Sequence, residues 1–484
     1  MTACNNPLLR DLAFIGGHWL PAADGARHAV HNPATGELLA EVPDCGHRET
    51  QAAIDAASAA FPAWRELAAK ERGRVLRRWH DLVMANQEDL ATLMTLEQGK
   101  PLAEARGEVA YGAGFIEWFA EQGRRLQGDV MAAPVADKRI VVLQQPVGVT
   151  AAITPWNFPV AMITRKAAPA LAAGCAMVIK PAEATPLCAL ALAALAEQAG
   201  IPAGVLSVVT TSRPAEVGAV LTSDARVRKL SFTGSTAVGK RLMADCAGTV
   251  KRLSLELGGN APFIVLADAD LDAAVQGALA SKYRNAGQTC VCANRFLVHE
   301  SIHDAFVDKL VAAVAALPVA QGMDPVSRIG PLINAAAVAK VERLVQAALQ
   351  EGAVARLGGT RHPAGALFYT PTVLTDVRAD MAVMREESFG PVAPVLRFST
   401  LDEAVALAND TPAGLAAYLY GNDLRTVWRL AERLEYGMVG INDGIISNEV
   451  GPFGGVKESG LGREGSVYGI EEYVEKKTLC LGGF

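Results

Sequence analysis

Short apolar runs alternate with longer alanine-rich stretches along most of the chain after Pro146. Runs of this length predict buried strands, whereas the stretches between them are long enough for helices, and most of these end near Gly or Asp. The strand candidates are VGVTAAIT, CAMVIK, VLSVV, VRKLSF and APFIVL. Strands that alternate with helices build parallel sheets from βαβ units, so the pattern predicts a doubly wound α/β domain.

A second series of the same kind begins near Asp270 and predicts a second α/β domain with its own sheet. It contains the strand candidates RFLVH and AAYLYG and a long helix over residues 301–317. Upstream of both series, residues 128–146 predict an extended hairpin. The chain ends in a further strand after YGIEEY, and the hairpin and this strand are expected to pair, within one subunit or between subunits.

Composition and charge narrow the class of protein. The 484 residues are 51% hydrophobic and 20% charged, which suits two or three domains with substantial cores. A net charge of −6 without a cluster of Lys or Arg disfavours nucleic acid as a partner. The N-terminal residues lack a signal-peptide pattern, and no run of about 18 apolar residues predicts a membrane span. A cytoplasmic protein is expected, with most of its eight scattered cysteines reduced and buried.

Two predicted strand-to-helix turns carry residues that suit a dinucleotide. Gly234 and Gly239 flank four residues after VRKLSF, where backbone N–H groups and the helix dipole would face a pyrophosphate. The G-x-x-x-x-G spacing fits an ordinary βα turn equally well. Lys180 and Glu183 follow CAMVIK and suit the hydroxyls of an adenosine ribose, although the local sequence alone favours a solvated salt bridge.

Three further residues suit covalent chemistry on a carbonyl group. Asn157, held between two prolines, either donates to a developing oxyanion or caps the next helix. Glu256 is a lone carboxylate in the apolar run LSLELGG, where burial would raise its pKa towards the range of a general base. Cys290 in RNAGQTCVC is either a buried core thiol or a nucleophile, which would need a lowered pKa and a tight turn. The C-x-C spacing of Cys290 and Cys292 lacks the second cluster of a zinc site, so no metal site is predicted.

Seven motifs along the chain occur in a fixed order: PWNFP, KPAE, FTGST, LELGG, GQTC, EESFGP and PFGGVKESG. In this order, and over nearly the whole chain, they resemble the aldehyde dehydrogenase superfamily. Longer stretches such as YRNAGQTCVCANRF are similar to the succinate semialdehyde dehydrogenases within it. The resemblance implies an α/β fold of the aldehyde dehydrogenase type, with a Rossmann-type cofactor domain, an α/β catalytic domain and a small β oligomerisation extension. A binding role without turnover would predict the loss of Cys290, Glu256 or Asn157, and all three are present. A thioester hydrolase would not require KPAE, the glycine turn and ESFGP together.

The resemblance also implies limits for the domains. The dinucleotide-binding domain would comprise residues 1–127 and 147–255, and the catalytic domain residues 256–440. Residues 441–465 would return the chain to the cofactor domain, and residues 128–146 and 466–484 would mediate oligomerisation. The implied partners are a small aldehyde and further copies of the chain in a dimer or tetramer, with no nucleic acid or membrane.

The mechanism implied by the resemblance assigns three catalytic residues. Cys290 would attack the aldehyde, the Asn157 amide would hold the oxyanion, and Glu256 would activate the water that releases the acid. Residues implied to contact the cofactor are Ile153, Trp156, Lys180, Glu183, Gly234, Ser235, Leu257, Glu387 and Phe389. A carboxylate at position 183 favours NAD because it repels a 2′-phosphate, with NADP as the alternative.

The implied substrate carries a carboxylate at its far end. Succinate semialdehyde is expected, and glutarate semialdehyde, one methylene longer, is the alternative. Arg165, Arg284 and Ser447 would clamp the carboxylate, whereas the alternative for both arginines is a solvated helix face. Arg284 would lie about 9 Å from Cys290 if the segment between them is helical. Cys292 would be either a redox partner that forms a reversible disulfide with Cys290 or a packed loop thiol.

Overall fold

The computed structural model describes residues 6–483, so Cys4 lies outside the described residues. Its strands are β1 (Ala13–Ile15), β2 (His18–Leu20), β3 (Arg27–His31), β4 (Leu38–Pro43), β5 (Asp129–Met131), β6 (Lys138–Pro146), β7 (Val149–Ile153), β8 (Ala176–Lys180), β9 (Leu206–Val208), β10 (Val227–Thr233), β11 (Arg252–Glu256), β12 (Ala261–Val265), β13 (Ala293–His299), β14 (Val354–Leu357), β15 (Thr372–Thr375), β16 (Val392–Phe398), β17 (Ala416–Tyr420), β18 (Met438–Ile441), β19 (Gly460–Leu461) and β20 (Val474–Gly482).

The helices pack around these strands. They are α1 (His47–Glu66), α2 (Ala69–Ala85), α3 (Gln87–Gln98), α4 (Leu102–Gln122), α5 (Ala161–Ala173), α6 (Pro186–Gln198), α7 (Pro214–Ser223), α8 (Thr236–Cys246), α9 (Leu271–Lys282), α10 (His303–Ala315), α11 (Ala335–Gln350), α12 (Ala382–Arg385), α13 (Leu401–Asn409) and α14 (Leu424–Arg433). Within residues 6–483, none of the helices combines the length and the apolar character needed to cross a membrane.

The first sheet has the strand order β19-β11-β10-β7-β8-β9-β1-β2. Its centre is parallel, since β7 pairs with β8 and β10, and β10 pairs with β11. Strands β7, β8 and β9 consist entirely of buried residues, because apolar clusters that include α5 and α6 on one face and α1 and α7 on the other cover the sheet. The predicted doubly wound sheet is therefore confirmed for four of the five runs.

The second sheet has the order β14-β15-β16-β13-β12-β17-β18 and is parallel except where β14 meets β15. The fifth run, APFIVL, forms β12 in this sheet, paired with β13 and β17, so its assignment to the first sheet is wrong. The chain crosses between the sheets at Gly258 and Gly259, directly after β11. A Cβ at Gly259 would come 2.3 Å from the carbonyl oxygen of Cys290, so only glycine allows this close crossing.

The third sheet has the order β20-β6-β5. The predicted hairpin is confirmed as the antiparallel pair β5 and β6, and the C-terminal strand β20 pairs with β6 within the same chain. Apolar side chains on this sheet are exposed, among them Val130 at 79% and Met131 at 52%. The sheet therefore presents an apolar surface that the described part of this chain leaves uncovered.

Candidate active site

A cavity of about 550 Å³ lies at the carboxyl edge of the first sheet. Residues that follow β7, β10 and β11 line one wall, and residues that precede β13 and β16 line the opposite wall. The cavity brings together most of the predicted site residues: Trp156, Asn157, Arg165, Gly234, Ser235, Glu256, Leu257, Arg284, Cys290, Glu387, Phe389 and Ser447. Its lining does not include Ile153, Lys180, Glu183 or Cys292.

Cys290 follows a tight turn. Arg284–Gly287 is a 3-10 turn in which Asn285 and Ala286 have left-handed φ angles of 52° and 53°. Glu104 stabilises the turn, because its Oε2 accepts the backbone N–H of Asn285 at 2.8 Å. The expectation of a helical path from Arg284 to Cys290 is therefore wrong, whereas the tight turn before the cysteine is present.

The thiol of Cys290 is half-buried, and burial raises its pKa to about 12. The charge of Arg165 lowers this pKa, but less than burial raises it, and the carboxyl groups of Glu387 and Glu256 raise it further. The expectation of a lowered pKa is therefore wrong for this structure. At neutral pH the sulfur carries its proton, so nucleophilic attack requires a base that removes it.

Glu256 is the last residue of β11, and its carboxyl group is buried. Neither of its carboxyl oxygens has a hydrogen-bond partner in the part of the chain that the structure describes. Burial raises the pKa of Glu256 well above its usual value, and the nearby carboxylate of Glu464 raises it further. A buried carboxyl group without a partner is costly, and one that lines the same cavity as a thiol suits proton exchange with it.

Asn157 follows β7 without capping the next helix. The N-cap of α5 is Val160, so the capping alternative for Asn157 is wrong. The side-chain Nδ2 donates to the carbonyl oxygen of Gln288 at 3.0 Å, which leaves the second N–H of the amide for another acceptor. The Asn157 carbonyl oxygen accepts from Lys100 Nζ at 2.8 Å and from Asn285 Nδ2 at 3.0 Å. These bonds tie Asn157 to the loop that carries the cysteine.

The predicted adenosine contacts lie at the carboxyl edge of the first sheet. Ile153 and Lys180 end β7 and β8 and pair with each other. Lys180 is buried, and its Nζ lies 3.6 Å from Oε2 of the exposed Glu183. The salt bridge between Lys180 and Glu183, which the local sequence alone favoured, is thus present. A buried ammonium group beside an exposed carboxylate also fits ribose hydroxyls, because each hydroxyl both accepts and donates a hydrogen bond.

The turn between β10 and α8 fits a phosphate group. Ser235 is the extended N-cap of α8, and within residues 6–483 its side chain makes no capping bond, so the first-turn N–H groups are available to an anion. The glycines of the turn allow very close packing. A Cβ at Gly234 would come 2.4 Å from the ring of Phe232, and a Cβ at Gly239 would come 2.4 Å from the side chain of Leu257. The backbone is that of an ordinary tight βα turn, and the same backbone also fits a phosphate group.

The opposite wall fits a ribose and a flat ring. Glu387 Oε1 accepts the N–H of Gly259 at 3.1 Å, and burial raises the pKa of Glu387 to about 7. The ring of Phe389 meets that of Trp156 edge-on, with centroids 5.6 Å apart. A carboxyl group and aromatic rings in one cleft offer hydrogen bonds to sugar hydroxyls and an apolar surface for a base. The residues of both walls therefore fit a nicotinamide dinucleotide.

Two arginines keep donors free in this cavity. Arg165 is only 1% exposed, and its Nε donates to Glu464 Oε2 at 2.5 Å. Its guanidinium lies over Phe453 at 4.0 Å, and that of Arg284 lies over Phe158 at 5.4 Å. Arg165 Nη1 and Arg284 Nε find no hydrogen-bond partner among the described residues. The alternative of a solvated helix face is therefore wrong for Arg165, and Arg284 lies on a turn.

Glu464 was not among the predicted site residues. Its carboxylate binds both Arg165 and Lys166 from a position 299 and 298 residues further along the chain. Although burial raises its pKa, the charges of Lys166 and Arg165 hold that pKa at about 2. A single glutamate after a glycine-rich stretch shows no periodicity or spacing that marks it as a partner of α5.

Ser447 lies in the loop after β18 and lines the cavity. Cys292 is buried and does not line it. The Cys292 thiol donates to the carbonyl oxygen of Lys282, with 3.6 Å between sulfur and oxygen, and both Cys290 and Cys292 are free thiols. The reversible disulfide stays a prediction.

Across residues 6–483, no group of three or more His, Cys, Asp and Glu side chains is arranged to hold a metal ion.

Both the sequence and the fold of the chain are similar to those of known proteins. Residues 19–479 match the sequence model of the aldehyde dehydrogenase family. The chain is 61% identical to the glutarate-semialdehyde dehydrogenase of Pseudomonas aeruginosa, over 98% of each chain. It is also 61% identical to the NADP(+) succinate-semialdehyde dehydrogenase of Escherichia coli, again over 98% of each chain. The solved structure of the succinate-semialdehyde dehydrogenase from Burkholderia pseudomallei superimposes with a TM-score of 0.98, at 62% identity and 99% coverage of both chains.

Proposed function

Because the chain belongs to the aldehyde dehydrogenase family, we propose that it oxidises an aldehyde with a carboxylate at its far end, preferably succinate semialdehyde. The observation that carries the proposal is the pair of free, positively charged donors, Arg165 Nη1 and Arg284 Nε, which lack partners within residues 6–483 and belong to residues of the Cys290 cavity. A carboxylate would accept hydrogen bonds from both and offset their charge. Glutarate semialdehyde is the second candidate, because the Pseudomonas aeruginosa relative bears that name at the same identity.

The residues of this chain would perform the chemistry in two stages. Glu256 would take the proton of the Cys290 thiol as its sulfur bonds to the carbonyl carbon, and the free N–H of the Asn157 amide would donate to the resulting oxyanion. Trp156, Ser235, Glu387 and Phe389 would hold the nicotinamide cofactor, which would supply the acceptor for the hydride of that carbon. After passing the thiol proton to solvent, Glu256 would take a proton from the water that attacks the thioester and return it to the departing sulfur, which releases the acid and restores the thiol.

The chain is an NAD(P)-dependent aldehyde dehydrogenase, and we infer that it prefers NAD. The exposed carboxylate of Glu183 lies 3.6 Å from Nζ of the buried Lys180, where it would accept a hydrogen bond from a ribose 2′-hydroxyl and repel a 2′-phosphate. A ratio of kcat/KM for NAD over NADP above about ten, measured with saturating aldehyde, is expected on this basis. A ratio below one would reverse the inference.

Steady-state oxidation of succinate semialdehyde and butanal tests the proposed substrate class. The two aldehydes have the same chain length, and only the first carries a carboxylate. Two charge-assisted hydrogen bonds predict a kcat/KM at least about 100-fold higher for succinate semialdehyde. Equal values would sink the carboxylate part of the proposal. Glutarate semialdehyde, measured in the same series, decides between the two candidates, since one methylene changes the ratio by about 10- to 200-fold.

Replacing Arg284 by methionine is expected to raise KM for succinate semialdehyde by about 10- to 100-fold. Methionine keeps an unbranched apolar stem and removes the charge, so kcat/KM for butanal should fall far less than kcat/KM for the charged aldehyde. Arg356→Met is a matched control, because Arg356 pairs with Asp308 at the surface and does not line the cavity. If Arg284→Met lowered kcat/KM equally for both aldehydes, Arg284 would not contact the carboxylate.

We also propose that the chain forms a homo-oligomer through its three-stranded sheet. The support is the exposed apolar surface of β5, β6 and β20, where Val130, Met131, Leu143, Leu479 and Leu481 are all more than a third exposed. Covering apolar surface of this kind stabilises an association between subunits. Either a dimer or a tetramer would cover this apolar surface.

A further inference from the structure

One face of α4 forms a wall of the cavity. Four of its residues line the cavity: Glu104, Gly107, Glu108 and Tyr111. This spacing of three and four residues places them on one side of the helix. The helix packs closely on α5, since a Cβ at Gly112 would come 2.9 Å from the Val160 side chain. Tyr111 is thereby held close to the start of the helix that carries Arg165.

Tyr111 has a fixed ring and a free hydroxyl group. Its ring meets that of Phe115 edge-on, with centroids 4.9 Å apart. Its hydroxyl oxygen is shielded from solvent and has no hydrogen-bond partner among residues 6–483. A buried hydroxyl without a partner is destabilising unless a ligand satisfies it. Since Tyr111 lines the cavity, a ligand of that cavity is the partner this hydroxyl lacks.

The charges around this hydroxyl identify the kind of ligand. The positive charges of Arg165 and Arg284 both lower the pKa of Tyr111, and a side-chain interaction with Arg165 lowers it further, while each arginine keeps one nitrogen without a hydrogen-bond partner among the described residues. Burial raises the pKa of Tyr111 despite these positive charges, so the group stays a neutral phenol that donates a proton to a hydrogen bond. Two cationic donors and one neutral donor thus lie in one cavity, and none of the three has an acceptor among the described residues. A carboxylate meets this need, because each of its oxygens accepts more than one hydrogen bond.

We propose that Tyr111 is a further donor to the far-end carboxylate of the substrate, beside Arg165, Arg284 and Ser447, and helps to set the preference of the enzyme for charged over neutral aldehydes. This inference rests on the proposed function. The hydroxyl would donate to an oxygen that Arg165 or Arg284 also binds, and so hold the substrate in one orientation. Tyr111 thus determines specificity, and it takes no part in bond making at the aldehyde.

Tyr111→Phe tests this role, because phenylalanine keeps the ring and its contact with Phe115 and removes only the hydroxyl. The matched control is Tyr369→Phe. Tyr369 is 1% exposed in the core of the second sheet, its hydroxyl also lacks a partner within residues 6–483, and it does not line the cavity. Both variants lose one unsatisfied buried hydroxyl, so their comparison separates substrate binding from general packing.

We expect Tyr111→Phe to discriminate less between the charged and the neutral aldehyde and to keep its turnover rate. In Tyr111→Phe the ratio of kcat/KM for succinate semialdehyde over butanal should fall about tenfold, through a higher KM at nearly constant kcat. Inhibition by the product succinate should weaken by a similar factor. Tyr369→Phe should keep the ratio of the parent enzyme.

Two results would overturn the inference, and they differ in what else they affect. If the parent enzyme strongly prefers the charged aldehyde and Tyr111→Phe keeps that preference within a factor of two, the role of Tyr111 is refuted and the proposed function stands. If the parent enzyme shows no preference, the proposed function and the inference fail together.

Discussion

Replacing Cys290 by serine is expected to lower kcat for succinate semialdehyde by about four orders of magnitude or more. A hydroxyl group loses its proton far less readily than a thiol, and the thiol of Cys290 already has its pKa raised to about 12 by burial. A base such as Glu256 that serves the thiol would therefore fail to generate an alkoxide. Steady-state formation of reduced nicotinamide measures the loss.

Cys292→Ala is the control for this experiment. Cys292 lies two residues away, is equally free of disulfide bonds and does not line the cavity. It should keep kcat within a few fold of the parent value, because no reacting group contacts it in the proposed mechanism. A Cys290→Ser enzyme with more than about one per cent of the parent kcat, or an equal loss in Cys292→Ala, would contradict the assignment of the nucleophile.

Replacing Glu256 by glutamine is expected to lower kcat about 100- to 10,000-fold. Glutamine has nearly the same size as glutamate and cannot take up a proton at this position. Both proposed stages need that proton transfer, first from the thiol and then from water. The loss should appear in kcat rather than in KM, since neither carboxyl oxygen binds another group in the described part of the chain.

The pH dependence of kcat gives a second readout for Glu256. Burial raises the pKa of Glu256, so the carboxylate that acts as base is lost as the pH falls through this raised value. The kcat of the parent enzyme should therefore rise over the pH range around this raised pKa, and the rise should disappear in Glu256→Gln. Glu97→Gln is the matched control, because Glu97 is also buried with a raised pKa but lies outside the cavity lining. A parent enzyme whose kcat falls as the pH rises across this range would contradict the role of Glu256.

Much of this fold follows from the apolar pattern of the sequence. The strands β7, β8, β9 and β10 and the helix α10 lie where alternating runs predict them, because buried parallel strands leave uninterrupted apolar runs. The prediction was wrong for APFIVL, because an apolar run predicts a buried strand but does not indicate which sheet that strand joins. That choice is made by the crossing at Gly258 and Gly259, where close packing against the loop of Cys290 directs the chain into the second sheet.

The site was predictable where local motifs carry it and unpredictable where distant residues complete it. The motifs around Asn157, Glu256 and Cys290 gave candidates that the structure brings to one cavity. No local pattern indicates that Glu464 holds Arg165, because the two residues meet only through the folded chain. The raised pKa of Cys290 was equally inaccessible, since burial of a thiol is a property of the packed structure and not of its neighbours in sequence.

The mass of the acid-quenched enzyme shows whether oxidation proceeds through an acyl group on Cys290. The parent enzyme is mixed with succinate semialdehyde and NAD or NADP, quenched with acid during the first turnover, digested and fragmented in a mass spectrometer. The proposed mechanism predicts a succinyl group, at most one per chain, bound to Cys290 and formed together with an equal amount of reduced nicotinamide. Reduced nicotinamide without an acylated cysteine, or a succinyl group on Cys292, would contradict it.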